Sequence, residues 1–190
     1  LYLVMAEPKG DLMQGGVTKF PLRFTSSAMR ARFNARDGQL YVSGLRGWQT
    51  NAATNGGIDR VRFTGRPVYM PKELRVKKNG VEIEFTCPLD PGSAADPDNY
   101  AVKGSDVRWT HDYGSGDYAA GQRDIDPSKW KAGSTEFFVD DAKLLSDGKT
   151  VFLTIADLQP VHQMNIKINV EAADGTPVKT DIWNTIHIVD

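Results

Sequence analysis

The chain has one cysteine, Cys87, among 190 residues. A single cysteine excludes an internal disulfide, and any haem attachment or zinc centre built on paired cysteines. Cys87 closes an alternating run and reads as a small core residue rather than a nucleophile. There are three histidines, His111, His162 and His187. No two of them have metal-ligand spacing on one element, and no nucleophile-elbow motif surrounds a serine. The longest apolar run is only a few residues, too short to cross a bilayer as a helix. Neither sign of charge is in excess: 23 basic and 24 acidic side chains give a net charge of −1. That balance makes no electrostatic case for nucleic acid or an anionic membrane as partner. Leu1–Met5 carries no initiator methionine, basic n-region or cleavage motif. It reads as a strand entered in its middle, and the expectation is a processed chain or a fragment of a longer one.

What is present is hydrophobicity with a period of two. Met164, Ile166, Ile168 and Val170 face one way while Asn165, Lys167 and Asn169 face the other, the pattern of a half-buried strand. Asp147-Gly148 feeds a β-branched and aromatic run from Thr150 to Ile155, a turn entering a strand. Leu74 and Val76 alternate with charged residues. Asn79-Gly80 reads as a two-residue hairpin turn, after which Val81, Ile83, Phe85 and Cys87 alternate with Glu82, Glu84 and Thr86. Further strands are expected at Val107–Thr110, from Phe137 toward Leu144, and at Ile182–Val189, with Ile182, Ile186 and Ile188 on one face. Seven or so short strands separated by turn signals argue for a two-sheet sandwich over 71–190. No stretch reads as a long helix; Ser93–Asp96 is at most one turn.

Upstream, Leu1–Met5, a segment around Phe20–Phe24, Met29–Asn34, Leu40–Ser43 and Arg60–Thr64 are short and strand-like, broken by Gly15-Gly16, Asp37-Gly38 and the polar loop Gln49–Gly57. Four such strands are expected to form one small antiparallel sheet over 1–70, with Pro67 and Pro71 bracketing an extended linker. The fold class is therefore all-β: a small N-terminal sheet followed by a sandwich.

Two resemblances add to this. Arg36–Gly44 (Arg-Asp-Gly-Gln-Leu-Tyr-Val-Ser-Gly) and Gly56–Gly65 (Gly-Gly-Ile-Asp-Arg-Val-Arg-Phe-Thr-Gly) resemble the closing blade of a secreted glucose/sorbosone dehydrogenase-like β-propeller of planctomycete-type multidomain proteins. Such an enzyme binds a quinone and calcium through several blades. Only one blade could be present here, so the resemblance carries over neither activity nor cofactor. Phe85, Pro88-Leu89-Asp90, the small-residue turn and Asn99-Tyr100-Ala101-Val102, with Ser146-Asp147-Gly148-Lys149-Thr150-Val151 and Ala173-Asp174-Gly175, resemble bacterial Ig-like modules related to fibronectin type III. The resemblances imply a secreted or periplasmic setting and a neighbouring propeller domain as one partner.

The Ig-like pattern is interrupted at 111–135, a segment too long and polar for a simple hairpin; loops of that length are often functional. Around it stand Trp109, His111, Asp112, Tyr113, Asp117, Tyr118 and Trp130. Aromatic faces stack on pyranose rings while carboxylates and imidazole accept hydroxyl hydrogen bonds, so these residues suit a glycan site. The competing reading makes Trp109 a core strand residue and uses the other aromatics to pin the loop. Asp124 and Asp126, and the cluster Asp90, Asp96 and Asp98, offer oxygen ligands for calcium, yet neither has the spacing of a calcium loop, and Asp also favours turns and caps. Gly114-Ser115-Gly116 lacks the strand-to-helix setting of a phosphate loop. Arg30, Arg32, Arg46, Arg60 and Arg62, with Trp48, line one wet face of the first sheet, either to meet an acidic partner or sugar acid, or to pack through their stems.

The expected function is a non-catalytic ancillary module of a secreted bacterial carbohydrate-active protein, binding a polysaccharide or oligosaccharide through the 109–130 insertion. No cofactor, metal, nucleic acid or membrane enters this reading. The alternative is a structural domain that completes and braces a propeller. A third is an enzyme using acidic residues that the sequence does not single out.

Overall fold

The computed structural model describes residues 1–47, 52–111 and 113–190. Trp48, the start of the polar loop at Gln49–Asn51, and Asp112 lie outside the described residues. About half of the described chain is strand and very little of it is helix. It divides into a small unit, Pro21–Pro67 with Leu1, and a larger unit made of Tyr2–Phe20 and Val68–Asp190.

The larger unit is a sandwich. One sheet holds β6 (Pro71–Lys77), β7 (Gly80–Phe85), β11 (Asp141–Leu144) and β12 (Thr150–Thr154) in the order β6-β7-β12-β11. The other holds β1 (Tyr2–Lys9), β2 (Leu12–Lys19), β8 (Tyr100–Val107), β9 (Asp117–Ala119), β10 (Thr135–Phe137), β13 (Val161–Glu171) and β14 (Pro177–Ile186). Its order is β1-β2-β14-β13-β8-β10, with β9 also paired to β8. The pairing β6-β7-β12-β11 against β14-β13-β8-β10 is the A-B-E-D and G-F-C-C′ arrangement of an Ig-like sandwich. The two inner faces interdigitate through Val76, Val81, Ile83, Phe85, Val151, Leu153 and Ile155 on one side and Met164, Ile166, Ile168, Val170, Ile182 and Ile186 on the other, all essentially sealed from water. Burial on this scale, at about 25 cal/mol per Å² of apolar surface, supplies the main drive to fold. Cys87 is part of this core, and burial pushes its thiol pKa up.

Several expectations are corrected. The first strand does not open the small sheet: β1 pairs with β2, and β2 pairs with β14, extending the sandwich edge. The buried Gln14 fastens this hairpin, accepting from the N–H groups of His187 and Ile188 at 3.0 Å and donating to the Ile188 carbonyl at 3.2 Å. Glu7 and Lys9 of β1 bond the N–H and C=O of Val76 on β6. A hairpin pattern names its own two strands but not the edge it joins, since that depends on contacts more than 160 residues away. Asn165 is 7% exposed rather than wet, donating to the Ile182 carbonyl at 3.3 Å. The hairpin loop after β6 is Lys78-Asn79, with Gly80 already in β7 opposite Lys77. Gly80 is needed there for space: a Cβ would stand 1.9 Å from the Leu153 carbonyl oxygen of the next strand.

Only one α-helical turn is seen among the described residues, α1 (Pro91–Ala94), with 3-10 turns at Pro97–Asn99 and Pro127–Lys129. Asp90 caps it by accepting from Ser93 N–H at 2.8 Å.

The small unit is a three-stranded antiparallel sheet, β3 (Arg30–Phe33), β4 (Leu40–Leu45) and β5 (Gly56–Val61), in the order β3-β4-β5. Among the described residues it therefore shows no fourth strand of the kind expected for a propeller-type blade. Phe20–Phe24 forms no strand, consistent with a proline at 21 that has no N–H to offer a ladder. β5 begins at Gly56, earlier than the Arg-Val-Arg alternation suggested. Thr25–Ser27 crosses over the Val42 face of the sheet, where Gly44 leaves no side chain; a Cβ there would overlap the Ser27 carbonyl. Thr25 then bonds the Asp59 carboxylate through its N–H at 3.0 Å and its hydroxyl at 2.6 Å. Val42 is the one fully buried large apolar side chain of this unit among the described residues.

Candidate functional site

The interruption in the Ig-like pattern has a definite geometry. β8 is one long edge partner. Its C-terminal half pairs with β9, Ser105 opposite Ala119, and its N-terminal half pairs with β10, Gly104 opposite Thr135. β9 and β10 therefore form one edge strand that leaves the sheet after Ala119 and resumes at the next ladder position with Thr135. Two segments stand out from it: the loop at 108–116 and the excursion at 120–134. The strand expected at Val107–Thr110 ends at Val107.

The excursion is tied back from within. Gln122, 6% exposed, donates to the carbonyls of Ala119 and Lys131 at 2.8 and 3.1 Å and accepts from Lys131 N–H at 2.6 Å. Ala119 N–H donates to the Lys131 carbonyl, and Gly133 N–H to that of Asp117. A 3-10 turn at Pro127–Lys129 is capped by Asp126, which accepts from the Ser128 N–H and hydroxyl. Those bonds hold its carboxyl pKa below the usual range. Asp90, Asp96 and Asp126 thus all act as caps. Among the described residues no three acidic, histidine or cysteine side chains are grouped as a metal site would require.

A concavity of about 430 Å³ opens between the two segments, lined by Arg108, Trp109, Thr110, His111, Pro127 and Trp130. Trp109 is 98% exposed, so it is no core residue. Trp130 is half-buried. Its indole N–H donates to the Ile125 carbonyl at 2.9 Å, leaving ring surface rather than a polar edge for contact. Tyr118 stands edge-on behind it, ring centroids 5.6 Å apart at 73°. Arg108 lies 5.7 Å from the centre of the Tyr118 ring and donates to the Pro127 carbonyl at 2.8 Å, joining the loop to the excursion. Such rigid aromatic placement limits the ordering cost of binding.

Of the residues singled out from sequence, Trp109, His111 and Trp130 meet in this cleft, and Tyr118 supports it. Tyr113 is fully exposed but does not line the cleft. Asp117 accepts from the Ser105 hydroxyl at 3.2 Å, on the sheet beside the cleft. Asp112 lies outside the described residues.

Sequence reasoning missed Arg108 and Pro127, whose roles come from tertiary contact. It also missed a buried carboxylate beneath the excursion. Asp106 is inaccessible to water; its Oδ1 accepts from His162 N–H at 3.0 Å and from Arg123 Nε at 3.1 Å, and lies 2.9 Å from His162 Nδ1. Its Oδ2 has no partner among the described residues. Val107 N–H also points at Nδ1, at 3.3 Å. Asp106 thus joins β8 and β13 to Arg123 of the excursion.

A second, shallower concavity of about 470 Å³ lies on the outer face of the seven-stranded sheet, around Trp183, Gly15, His162 and His187. It has one aromatic wall. No helix among the described residues is long and apolar enough to cross a membrane. No protein-family model, no curated protein and no solved structure matches the chain.

Proposed function

We propose that the chain is a non-catalytic glycan-binding module, an ancillary part of a secreted bacterial carbohydrate-active protein. The observation that carries this reading is the exposed Trp109 and half-buried Trp130 on the walls of one cleft, with Tyr118 set edge-on against Trp130 and Arg108 joining the loop to the excursion. A pyranose ring stacks its C–H face on such indoles. Affinity electrophoresis in gels containing soluble polysaccharides, followed by a glycan array, tests it. Trp109→Ala and Trp130→Ala are each expected to abolish retardation. Trp109→Ala should leave stability within about 0.5 kcal/mol, as for other exposed sites. Unchanged retardation in both variants would remove the cleft from consideration.

A second reading, a structural domain that completes and braces a larger assembly, is favoured by the small unit. It has one sealed aliphatic residue, yet Met29, Phe33, Leu45, Ile58 and Phe63 are exposed. A sheet with so little interior of its own suits a shared core. If those exposed side chains seek a partner, the intact chain should self-associate with rising concentration, and Phe33→Ser with Phe63→Ser should keep it monomeric by light scattering.

A further inference from the structure

The net charge of −1 conceals a segregation. Residues 21–67 hold eight of the eleven arginines, none of the twelve lysines and only two acids, Asp37 and Asp59, a formal charge of +6. The rest of the chain stands at −7. Both acids of the small unit are engaged within it: Asp59 by Thr25, and Asp37 by Gln39 N–H and the Tyr41 hydroxyl, each at 2.9 Å. Among the described residues, no arginine of this unit forms an ion pair with a carboxylate; Arg30 and Arg32 bond only the carbonyls of Met29 and Ala31.

The register gathers part of this charge on one face. Arg32, Tyr41 and Arg60 lie in one cross-strand row, and Arg30, Ser43 and Ile58 in the next row on the same side. Thr25–Ser27 covers the other side, over Val42 and Gly44. Arg30, Arg32 and Arg60 are all exposed. Strand geometry sets Arg30 and Arg32 about 7 Å apart along the chain, and Arg32 and Arg60 about 10 Å apart across β4. Arg30 and Arg32 lie within the Debye length of about 8 Å at physiological salt, and Arg32 and Arg60 fall within it below about 0.1 M salt, where the three guanidinium groups act as one patch. Arg60 feels the Asp37 carboxylate, whereas Arg30 and Arg32 bond only carbonyls among the described residues, and a bound polyanion relieves the repulsion between them.

We infer that the arginine face of β3-β4-β5 is a docking surface for an acidic polysaccharide carrying a carboxylate on its repeating unit. Guanidinium forks match carboxylates in bidentate pairs, whereas lysine offers only a point charge. The face does not suit nucleic acid. Single strands are held by exposed stacking aromatics, but Tyr41 is half-buried with its hydroxyl tied to Asp37. Duplex bases are read by a helix or ribbon entering a groove, and the described part of this unit offers an open sheet face. This site is separate from the Trp109–Trp130 cleft and stands or falls independently of it.

The test uses the intact chain against immobilised polygalacturonate at 50 and 200 mM NaCl, with a neutral glucan and a single-stranded oligonucleotide as comparisons. The expected result is binding that weakens about tenfold or more between the two salts. Arg32→Gln with Arg60→Gln should weaken it about tenfold or more at 50 mM, as expected for loss of two anion contacts. Arg32→Lys with Arg60→Lys, which keeps the charge but loses the fork, should bind more weakly than the wild type and more tightly than the glutamine variant at 50 mM, and Trp109→Ala should leave binding unchanged. Equal affinity of the wild type and the glutamine variant would overturn the proposal, as would equal loss in the lysine and glutamine variants. Tighter binding to the oligonucleotide would reassign the face to nucleic acid. Self-association abolished by the glutamine variant, without polygalacturonate binding, would reassign it to the acidic surface of a second copy. Loss in Trp109→Ala alone would place the uronate in the aromatic cleft.

Discussion

Asp147 shows how one side chain sets a turn. Its carboxylate accepts from the N–H groups of Lys149 and Thr150 at 2.9 Å and from the Thr150 hydroxyl at 2.6 Å, fixing the entry to β12. Those bonds, the Thr150 hydroxyl foremost, hold its pKa below the usual carboxylate value. A depressed folded-state pKa means stability that is present above the unfolded value and lost as pH falls through the folded one. Asp147→Ala should therefore be less stable than the wild type at pH 7, by about 0.5–1 kcal/mol for this exposed group. The gap should narrow progressively below about pH 4. Chemical denaturation of both proteins from pH 7 to pH 2 checks this; a gap that stays constant with pH would deny the carboxylate its role.

At the scale of elements, the interrupted edge strand makes the cleft separable from the fold. Ala119 and Thr135 occupy successive positions along β8, opposite Ser105 and Gly104. Removing 120–134 and joining these residues should give one continuous edge strand, because the main inner-face core residues lie elsewhere. The excursion also supplies Arg123, so its removal leaves the buried Asp106 carboxylate with His162 alone; Asp106→Asn accompanies the deletion. Removing one partner of a buried ion pair costs up to about 3–5 kcal/mol. The paired variant is expected to keep the far-ultraviolet circular dichroism and cooperative melting of the wild type while losing glycan retardation. The deletion without Asp106→Asn should melt markedly lower. If the paired variant failed to fold cooperatively, the excursion would be part of the core rather than an appendage.

At the scale of the whole molecule, the two units differ in how much they bury. The sandwich seals a continuous set of aliphatic side chains from both sheets, whereas the small unit seals Val42. Local stability follows buried apolar contact. Hydrogen exchange followed by mass spectrometry should therefore find β3, β4 and β5 exchanging well before β7, β12 and β13, in a separate event. Simultaneous exchange of both sets would mean that the small unit is stabilised as firmly as the sandwich.

The sequence by itself determined β6, β7, β12 and most of β13, but not β2 or the extent of β8. Alternation at Val81–Cys87 and Met164–Val170 assigned inner faces residue by residue, because a strand's side-chain period is fixed by its backbone. It also marked 111–135 as an interruption and picked out Trp109, His111, Tyr118 and Trp130, since aromatics in a polar loop stand out locally. What only the tertiary structure decided were relations between distant residues. The β1–β2 hairpin joins β14 through Gln14 and Thr18, whose partners lie at the far end of the chain. The cleft exists because Arg108 reaches Pro127 and the edge strand resumes beside its own break. Asp106 meets His162 across 56 positions and Arg123 across 17. Periodicity is a property of neighbours along the chain. Which edge a hairpin extends, and which loops close on one another, are settled by long-range burial and hydrogen bonding that no local pattern encodes.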